Sequence, residues 1–252
     1  MHRFYLPPEL SQQDGLLLTE REAHHALHVL RLRRGDRVTV LDGAGHEFLC
    51  EISESGRSNL RLRMLEKRFI PASSFQITLV QAVPKGKLFE TVIQKAAELG
   101  ASRLVPLLTE RTIPQVSHTA ETHKAGKWQS IAIEAIKQCG CAWLPKVEAP
   151  LTPRQFIERK ENFELPLIAS LQPGSRHPRE YFNALRMQQG RPPRSVCIWI
   201  GPEGDFTPGE VEMIQSTGAL PITLGPLVLR TDTAAVYCLS IVNYELSATI
   251  AT

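Results

Sequence analysis

Two glycine-rich segments of the chain have the composition of loops that surround a flat heterocycle. Residues 200–206 read Ile-Gly-Pro-Glu-Gly-Asp-Phe, and residues 224–234 read Leu-Gly-Pro-Leu-Val-Leu-Arg-Thr-Asp-Thr-Ala. Glycine permits backbone conformations and close approaches that a Cβ would block, so backbone amides and carbonyls can face a ligand. The prolines stiffen both segments and lower the ordering cost of binding. One Gly-Pro pair is typical of a tight turn, but two such segments favour a ligand site.

A cation and three polar residues end the second segment. Thr231, Asp232 and Thr233 precede a helical pattern from about residue 234 to 249, and each of them could be the N-cap of that helix. Capping accounts for the polar residues but not for Arg230 directly before them. A fixed cation at that position favours contact with an anionic or electron-rich group.

Short apolar runs that alternate with helical patterns lead into these segments. The runs are typical of buried strands and lie at residues 75–83, 103–107, 166–171, 196–200 and 220–224. Gly100 ends a helical pattern that begins at Lys87, the pair Thr152-Pro153 opens another, and Thr207 opens one that Gly218 ends. The alternation predicts a doubly wound α/β domain with a mostly parallel sheet.

The turn after the first of these strands argues against a dinucleotide enzyme. Residues 82–87 read Ala-Val-Pro-Lys-Gly-Lys, which lacks the G-x-G-x-x-G fingerprint. In parallel sheets, ligands bind beyond the carboxyl ends of the strands. We therefore expect the site at the glycine-rich segments that follow the last two strands.

The chain before this pattern is predicted to be rich in β-strands. Thr19 and Glu22 have the spacing of a capping box for a helix that runs to about Leu30. Short strands are predicted at residues 37–42, 47–52 and 60–65, and the first two are joined by the turn residues 42–45. A small barrel-like domain follows from this pattern. Residues 66–74 are the best candidate linker, which places the domains at residues 1–72 and 73–252.

Basic residues of the first domain gather in two places. The first cluster comprises Arg31, Arg33, Arg34 and Arg37, and the second comprises Arg57, Arg61, Arg63, Lys67 and Arg68. The alternation of Leu60, Leu62 and Met64 with Arg61 and Arg63 predicts arginines on the outer face of a strand. A solvated face is the simpler interpretation of one charge run, whereas two runs in one small domain make binding of RNA or DNA an equal alternative.

The composition is that of an ordinary globular protein. Of 252 residues, 42% are hydrophobic and 22% are charged, which excludes disorder and fibrous repeats. The net charge of +3 permits a polyanionic partner without requiring one. The 5 cysteines form no C-x-x-C pair, and His24 and His28 have no acidic or cysteine partner at metal-ligand spacing. With no long apolar stretch, we predict a soluble cytoplasmic protein with reduced thiols, without a bound metal and without a membrane partner.

In combination, these motifs resemble the 16S ribosomal RNA uridine-N3 methyltransferases, the RsmE-type members of the SPOUT superfamily. In the second domain the resemblance rests on residues 200–204, 224–225 and 229–234, on Gln94-Lys95-Ala96-x-Glu98-Leu99-Gly100, Pro106 and Glu110-Arg111, and on residues 128–135 with Gln138. In the first domain it rests on Arg3-Phe4, His25, Val29-Leu30-Arg31 and Gly35-Asp36. The resemblance covers nearly the whole chain.

The resemblance implies an α/β protein of two domains. Residues 1–72 would form a PUA-like β-barrel domain that binds RNA, and residues 73–252 would form a SPOUT α/β domain whose C-terminal segment threads a trefoil knot. It further implies S-adenosylmethionine (SAM) as the cofactor in the knot loops, 16S rRNA or the small ribosomal subunit as the partner, and a homodimer.

Specific residues follow from the resemblance. The implied cofactor-binding residues are Leu171, Ile200, Gly201, Pro202, Glu203, Gly204, Leu224, Gly225, Leu229, Arg230, Thr233 and Ala234. The implied RNA-binding residues are Arg31, Arg33, Arg34, Arg61, Arg63, Lys85 and Lys87. The chain departs from the family pattern at Asp205, Leu227, Asp232 and Cys141, where the family usually has a glycine, a basic residue, a glutamate and an arginine.

The implied reaction assigns catalytic roles to three residues. Methyl transfer to uridine N3 requires loss of the N3 proton and stabilisation of negative charge on the flanking carbonyls. We hypothesise that Arg230 stabilises this charge or holds a phosphate, and that Thr231 and Asp232 position the base or receive the proton. Asp232 as a helix cap is the competing interpretation.

Two alternatives remain open at this stage. A ribose 2′-O-methyltransferase of the same superfamily typically has an asparagine and a catalytic arginine around its first motif, whereas this chain has Lys95, Glu98 and Arg111 there without the asparagine. A non-catalytic rRNA-binding assembly protein is the alternative from another class, and the missing basic residues at positions 141 and 227 keep it open.

Overall fold

The computed structural model describes residues 1–11, 15–56, 58–112, 118–172 and 174–247, with the side chains of residues 118–124 left undescribed. The chain divides into two compact units, which we treat separately. The first unit comprises Met1–Ala72 and Ile133–Leu144, and the second comprises Ser73–Ala132 and Pro145–Thr252. Within the described ranges, no helix is long and apolar enough to cross a membrane.

The first unit is built around a five-stranded sheet. Its elements are β1 (Arg3–Tyr5), α1 (Pro8–Ser11), β2 (Leu16–Leu18), α2 (Glu20–His24), β3 (Arg37–Leu41), β4 (His46–Ser55) and β5 (Leu60–Phe69). The strand order is β1-β3-β4-β5-β2. The three predicted strands are confirmed, and β4 and β5 are longer than expected. Strands β1 and β2 were not predicted because three residues are too few to display an alternation.

The outer face of β5 carries arginines as predicted, but the apolar alternation stops early. Leu60 and Leu62 belong to the core of the first unit, while Arg61 and Arg63 are exposed. Met64 is 41% exposed, so its prediction as an inward residue is wrong. It lies beside a break in the register between β4 and β5, and such a bulge bends the strand locally. Residues 66–69 extend β5 and do not belong to a linker.

The first predicted helix forms, but without the predicted capping box. Helix α2 continues into a π-helical turn, His25–Val29. Thr19 occupies the N-cap position with no side-chain hydrogen bond to the helix. The Glu22 carboxylate instead accepts hydrogen bonds from Lys137 Nζ at 2.7 Å and from the Tyr5 backbone N–H at 3.4 Å. The carboxylate thus stabilises tertiary structure, which the local spacing could not reveal.

The second unit is a doubly wound α/β fold, as predicted. Its elements are β6 (Gln76–Ala82), α3 (Leu88–Glu98), β7 (Arg103–Leu107), α4 (His118–Cys139, whose last residues belong to the first unit), β8 (Lys146–Val147), α5 (Pro153–Glu158), β9 (Leu165–Ala169), α6 (Pro178–Gln189), β10 (Ser195–Ile200), α7 (Pro208–Gln215), β11 (Leu220–Ile222) and α8 (Thr231–Ser247). The sheet has the order β11-β9-β10-β6-β7-β8, with every described pair parallel. All five predicted strands are confirmed.

Two helix starts of this unit form as the sequence predicts. Thr207 Oγ1 accepts a hydrogen bond from the Glu210 backbone N–H at 3.3 Å, and the Glu210 carboxylate accepts one from the Thr207 N–H at 2.9 Å. Thr152 and Gln155 form the same reciprocal arrangement at the start of α5. These capping boxes satisfy backbone donors that no helical carbonyl can reach.

The start of the last helix differs from the prediction. Helix α8 begins at Thr231, and the Ala234 N–H donates to the carbonyl oxygen of Arg230 at 2.8 Å. Thr231, Asp232 and Thr233 therefore lie within the first helical turn, and the prediction that one of them is the N-cap is wrong. The predicted end at residue 249 lies outside the described residues.

Candidate functional site

A cavity of about 450 Å³ opens in the second unit. Its walls come from the segments that follow β9, β10 and β11, and from the first turn of α8. These three strands are neighbours in the sheet and run parallel, so their carboxyl ends lie at one edge. This is the edge at which open α/β sheets bind ligands.

Most of the predicted cofactor-binding residues line this cavity. They are Leu171, Ile200, Gly201, Pro202, Glu203, Leu224, Gly225, Leu229 and Ala234. The lining does not include Gly204, Arg230 or Thr233. Among the predicted catalytic residues, Thr231 lines the cavity, whereas Asp232 does not. Their functional roles stay predictions.

The segment after β9 contributes more than the sequence analysis found. Ser170, Gln172, Gly174 and Ser175 line the cavity together with the predicted Leu171. The sequence places β9 well before the glycine-rich segments, and only the strand order shows that it lies between β10 and β11. The rule that ligands bind at adjacent strand ends would have found these residues if the order had been known.

A buried chain of hydrogen bonds holds the base of the cavity. The fully buried side chain of Gln81, near the end of β6, donates from Nε2 to Thr231 Oγ1 at 2.8 Å. The Thr231 hydroxyl in turn donates to the carbonyl oxygen of Gly201 at 2.7 Å. Gln81 Nε2 also donates to the Ala82 carbonyl oxygen at 2.9 Å. The end of β6, the segment after β10 and the start of α8 are thereby fixed to one another.

Contacts from two other loops hold the segment after β10. Glu203 Oε1 accepts a hydrogen bond from the backbone N–H of Lys85 at 3.1 Å. The Arg111 guanidinium donates to the carbonyl oxygen of Gly204. The loops after β6 and β7 thus fix the conformation of a cavity wall that has no regular secondary structure. Neither contact was predicted, although both Lys85 and Arg111 were singled out in the sequence.

Asp205 adopts an uncommon backbone conformation at the cavity wall. Its φ is +61°, a left-handed conformation that aspartate and asparagine tolerate better than most residues. Its Oδ1 accepts a hydrogen bond from the backbone N–H of Phe206 at 2.8 Å. This local bond stabilises the turn and keeps the half-buried carboxylate at the cavity.

The predicted catalytic residues differ in their surroundings. Arg230 is exposed and forms no ion pair with the described residues, so its guanidinium is available to a substrate outside the cavity. Asp232 Oδ1 is buried, and no partner for it lies within the described part of the chain. A buried acceptor without a donor is costly, so the described contacts do not account for the position of this oxygen.

The predicted RNA-binding residues separate into two kinds. Arg31, Arg33 and Arg34 are exposed and form no ion pair within the described ranges. Arg61 and Arg63 lie 3.4 Å and 3.0 Å from the carboxylates of Glu54 and Glu51, respectively. Their charge is partly compensated by the neighbouring strand. Lys85 and Lys87 are exposed in the loop after β6.

Comparison with known proteins agrees with this architecture. The model of the RNA methyltransferase domain family matches residues 71–243, and that of the RNA methyltransferase PUA domain matches residues 18–65. The fold and the cavity thus define an RNA methyltransferase with an N-terminal PUA domain.

Individual relatives identify the chain more narrowly than the domain families do. A ribosomal RNA small subunit methyltransferase E from Synechocystis is 34% identical over 96% of this chain and 77% of its own length. The enzyme of the same name from Bacillus subtilis is 27% identical over 97% of each chain. The chain belongs to the ribosomal RNA small subunit methyltransferase E family.

Solved structures agree over the full chain. A Legionella pneumophila protein described as a methyltransferase, in complex with SAM, has a TM-score of 0.86 and 33% identity over 98% of this chain and 97% of its own. A ribosomal RNA small subunit methyltransferase E from Neisseria gonorrhoeae, bound to SAM, has a TM-score of 0.83 and 26% identity over 99% of this chain and 98% of its own.

Proposed function

We propose that this protein transfers a methyl group from SAM to N3 of a uridine in the 16S rRNA of the small ribosomal subunit. The observation that carries the proposal is the cavity beyond β9, β10 and β11, built in a methyltransferase unit whose structural relatives bind SAM. Family membership supports rRNA of the small subunit as the substrate class. The choice of uridine N3 rests on the sequence resemblance.

The residues present fit this cofactor. The volume of about 450 Å³ lies within the range of small-molecule sites. Ile200 and Leu224 offer apolar contacts for a heterocycle, and the backbone of Gly201 and Gly225 offers polar groups. Gly225 has a φ of +110°, which a residue with a Cβ adopts only with strain. When bound there, SAM supplies an electrophilic methyl group.

The roles of the catalytic candidates can be refined from their contacts. Thr231 already donates to Gly201 and accepts from Gln81, so we propose that it positions the cavity wall and does not contact the acceptor base. The half-buried carboxylate of Asp232 is the group that receives the N3 proton. Arg230, exposed beside it, stabilises the negative charge that spreads over the uridine carbonyls.

The first unit would hold the RNA. N3 of a paired uridine is hidden in its base pair, so the target must be single-stranded or flipped out of its stack. The exposed Arg31, Arg33 and Arg34 fit phosphate contacts that position the strand without reading its sequence. We propose residues 1–72 as the RNA-binding domain and residues 73–252 as the methyltransferase domain.

Three further properties are part of the proposal. A homodimer is supported by α8, on which Tyr237 and Tyr244 are 44% and 67% exposed at a spacing of seven residues, hence on one face. The trefoil knot of the second unit rests on the resemblance alone. Action in the cytoplasm follows from ribosomal RNA as the substrate.

The proposal is tested by methyl transfer. Small subunits from a strain that lacks the gene are incubated with the purified protein and SAM carrying a labelled methyl group. Incorporation into 16S rRNA, and none into subunits from the parent strain, is expected. Failure to bind SAM or to incorporate label would favour a non-catalytic assembly protein.

A further inference from the structure

The charged residues that line the cavity are all acidic. Glu203 and Asp205, both in the segment after β10, are the charged residues of its lining, and no described lysine, arginine or histidine lines it. A cleft lined by one sign of charge focuses the electric field within it. The charged side chains of the described lining are therefore negative.

The hydrogen bonds of both carboxylates leave their charge in place. Each accepts a backbone N–H: that of Lys85 at 3.1 Å for Glu203, and that of Phe206 at 2.8 Å for Asp205. Among the described residues, the ion pairs of this unit use other carboxylates. Arg111 donates to the carbonyl oxygen of Gly204 between them, not to either carboxylate.

The proposed reaction changes the charge of the molecule in this cavity. As the bond from the methyl carbon to uridine N3 forms, the sulfur–methyl bond breaks and its electron pair remains on sulfur. The N3 proton leaves to a base, and its electron pair becomes the new bond to carbon. The cationic sulfonium of SAM thereby becomes the neutral thioether of S-adenosylhomocysteine.

We infer that Glu203 and Asp205 make the cavity selective for the sulfonium cofactor over its thioether product. The inference rests on the proposed function and extends it to product release. Both carboxylates attract SAM more strongly than S-adenosylhomocysteine, because only SAM carries the additional positive charge. A charge interaction of about 1.4 kcal/mol changes affinity by about tenfold.

Two charge-removing variants test this inference by calorimetry. Glu203→Gln and Asp205→Asn each retain the oxygen that accepts the backbone hydrogen bond, and asparagine tolerates the left-handed conformation. SAM and S-adenosylhomocysteine are each titrated into the full-length protein and into each full-length variant. We expect each variant to lower SAM affinity by about five- to tenfold and to change product affinity by less than about twofold. Glu212→Gln, exposed on α7, removes the same charge outside the lining and should alter neither affinity.

A second measurement uses the unmodified protein. Because salt screens charge interactions, the ratio of SAM affinity to product affinity should fall as sodium chloride rises from about 0.05 M to about 1 M. Equal weakening of both ligands in the variants, or a ratio independent of salt, would overturn the inference while leaving the proposed function intact. Absence of SAM binding by the unmodified protein would instead overturn the proposed function, and the inference with it.

Discussion

The side-chain amide of Gln81 donates a hydrogen bond to Thr231 Oγ1 at 2.8 Å, although 150 positions separate the two residues in the chain. The Thr231 hydroxyl in turn donates a hydrogen bond to the Gly201 carbonyl oxygen. Gln81, which does not line the cavity, therefore helps to hold the cavity wall in place. Both side chains are buried, and water cannot replace these bonds without a rearrangement.

Replacement of Thr231 by valine should damage both stability and cofactor binding. Thr231→Val leaves Gly201 and Gln81 without this partner in a buried place, which should lower the free energy of unfolding by about 1–3 kcal/mol. Urea denaturation and SAM calorimetry measure the two effects. Ser240→Ala, at an exposed position on the same helix, is the control. If both variants behave alike, the hydrogen-bond chain does not hold the cavity.

Removal of the Arg230 guanidinium should affect the chemical step more than cofactor binding. Arg230→Ala should reduce kcat by about 10²–10³-fold, as loss of one charge-stabilising donor does, with SAM affinity within about twofold. Single-turnover methylation and calorimetry separate the two quantities. Arg154→Ala, which removes an exposed arginine from α5, should leave both unchanged. Near-normal turnover of Arg230→Ala would reject the assigned role.

Loss of the Asp232 carboxylate should lower the methyltransferase activity, and a longer carboxylate at this position should restore part of it. Asp232→Asn should lower kcat by about 10²–10⁴-fold if the group is the general base. Asp232→Glu restores the carboxylate and should recover part of the activity. Activity of Asp232→Asn equal to that of the unmodified protein would leave the residue a structural role only.

The two arginine clusters of the first unit should differ in their contribution to RNA binding. Reversing the charge of Arg31, Arg33 and Arg34 to glutamate should weaken binding of 16S rRNA and reduce its dependence on salt concentration. The same change at Arg61 and Arg63 should have the smaller effect, because Glu54 and Glu51 already compensate these charges. Filter binding over a salt series measures both. Equal effects would show that the ion pairs do not persist in solution.

Acid stability should depend on Glu164. Hydrogen bonds from the Arg191 guanidinium and the Arg194 backbone N–H lower the pKa of Glu164 to about 2. A carboxyl whose pKa is depressed in the folded state stabilises the fold above its unfolded pKa of 4.5, and this contribution is lost as the pH falls towards 2. Glu164→Gln should therefore melt at a lower temperature than the unmodified protein at pH 6. The difference in melting temperature between the two proteins should narrow as the pH falls through the acid range. A difference that stays the same at every pH would contradict this assignment.

The sequence predicted the strands of the second unit well because a buried parallel strand is a short apolar run with clear limits. All runs from residue 75 to residue 224 became strands, with ends displaced by at most two residues. The helix starts at Thr152 and Thr207 were equally well defined, since capping depends on neighbours in the chain.

Tertiary contacts account for what the sequence could not predict. Thr19 and Glu22 have the spacing of a capping box, but Glu22 pairs with Lys137, which no local pattern indicates. Thr231 was expected to cap α8 or to act on substrate, whereas its hydroxyl bonds to Gly201. The segment after β9 was largely missed because its place beside the glycine-rich segments depends on strand order.

The most direct test of the account is the identity of the methylated nucleoside. Small subunits from a strain lacking the gene are treated with the protein and SAM, and their 16S rRNA is digested and analysed by mass spectrometry. We predict 3-methyluridine at a single position, present after treatment and absent before it. A methyl group on a ribose 2′-oxygen, or no gain of a methylated nucleoside by a protein that binds SAM, would contradict the account.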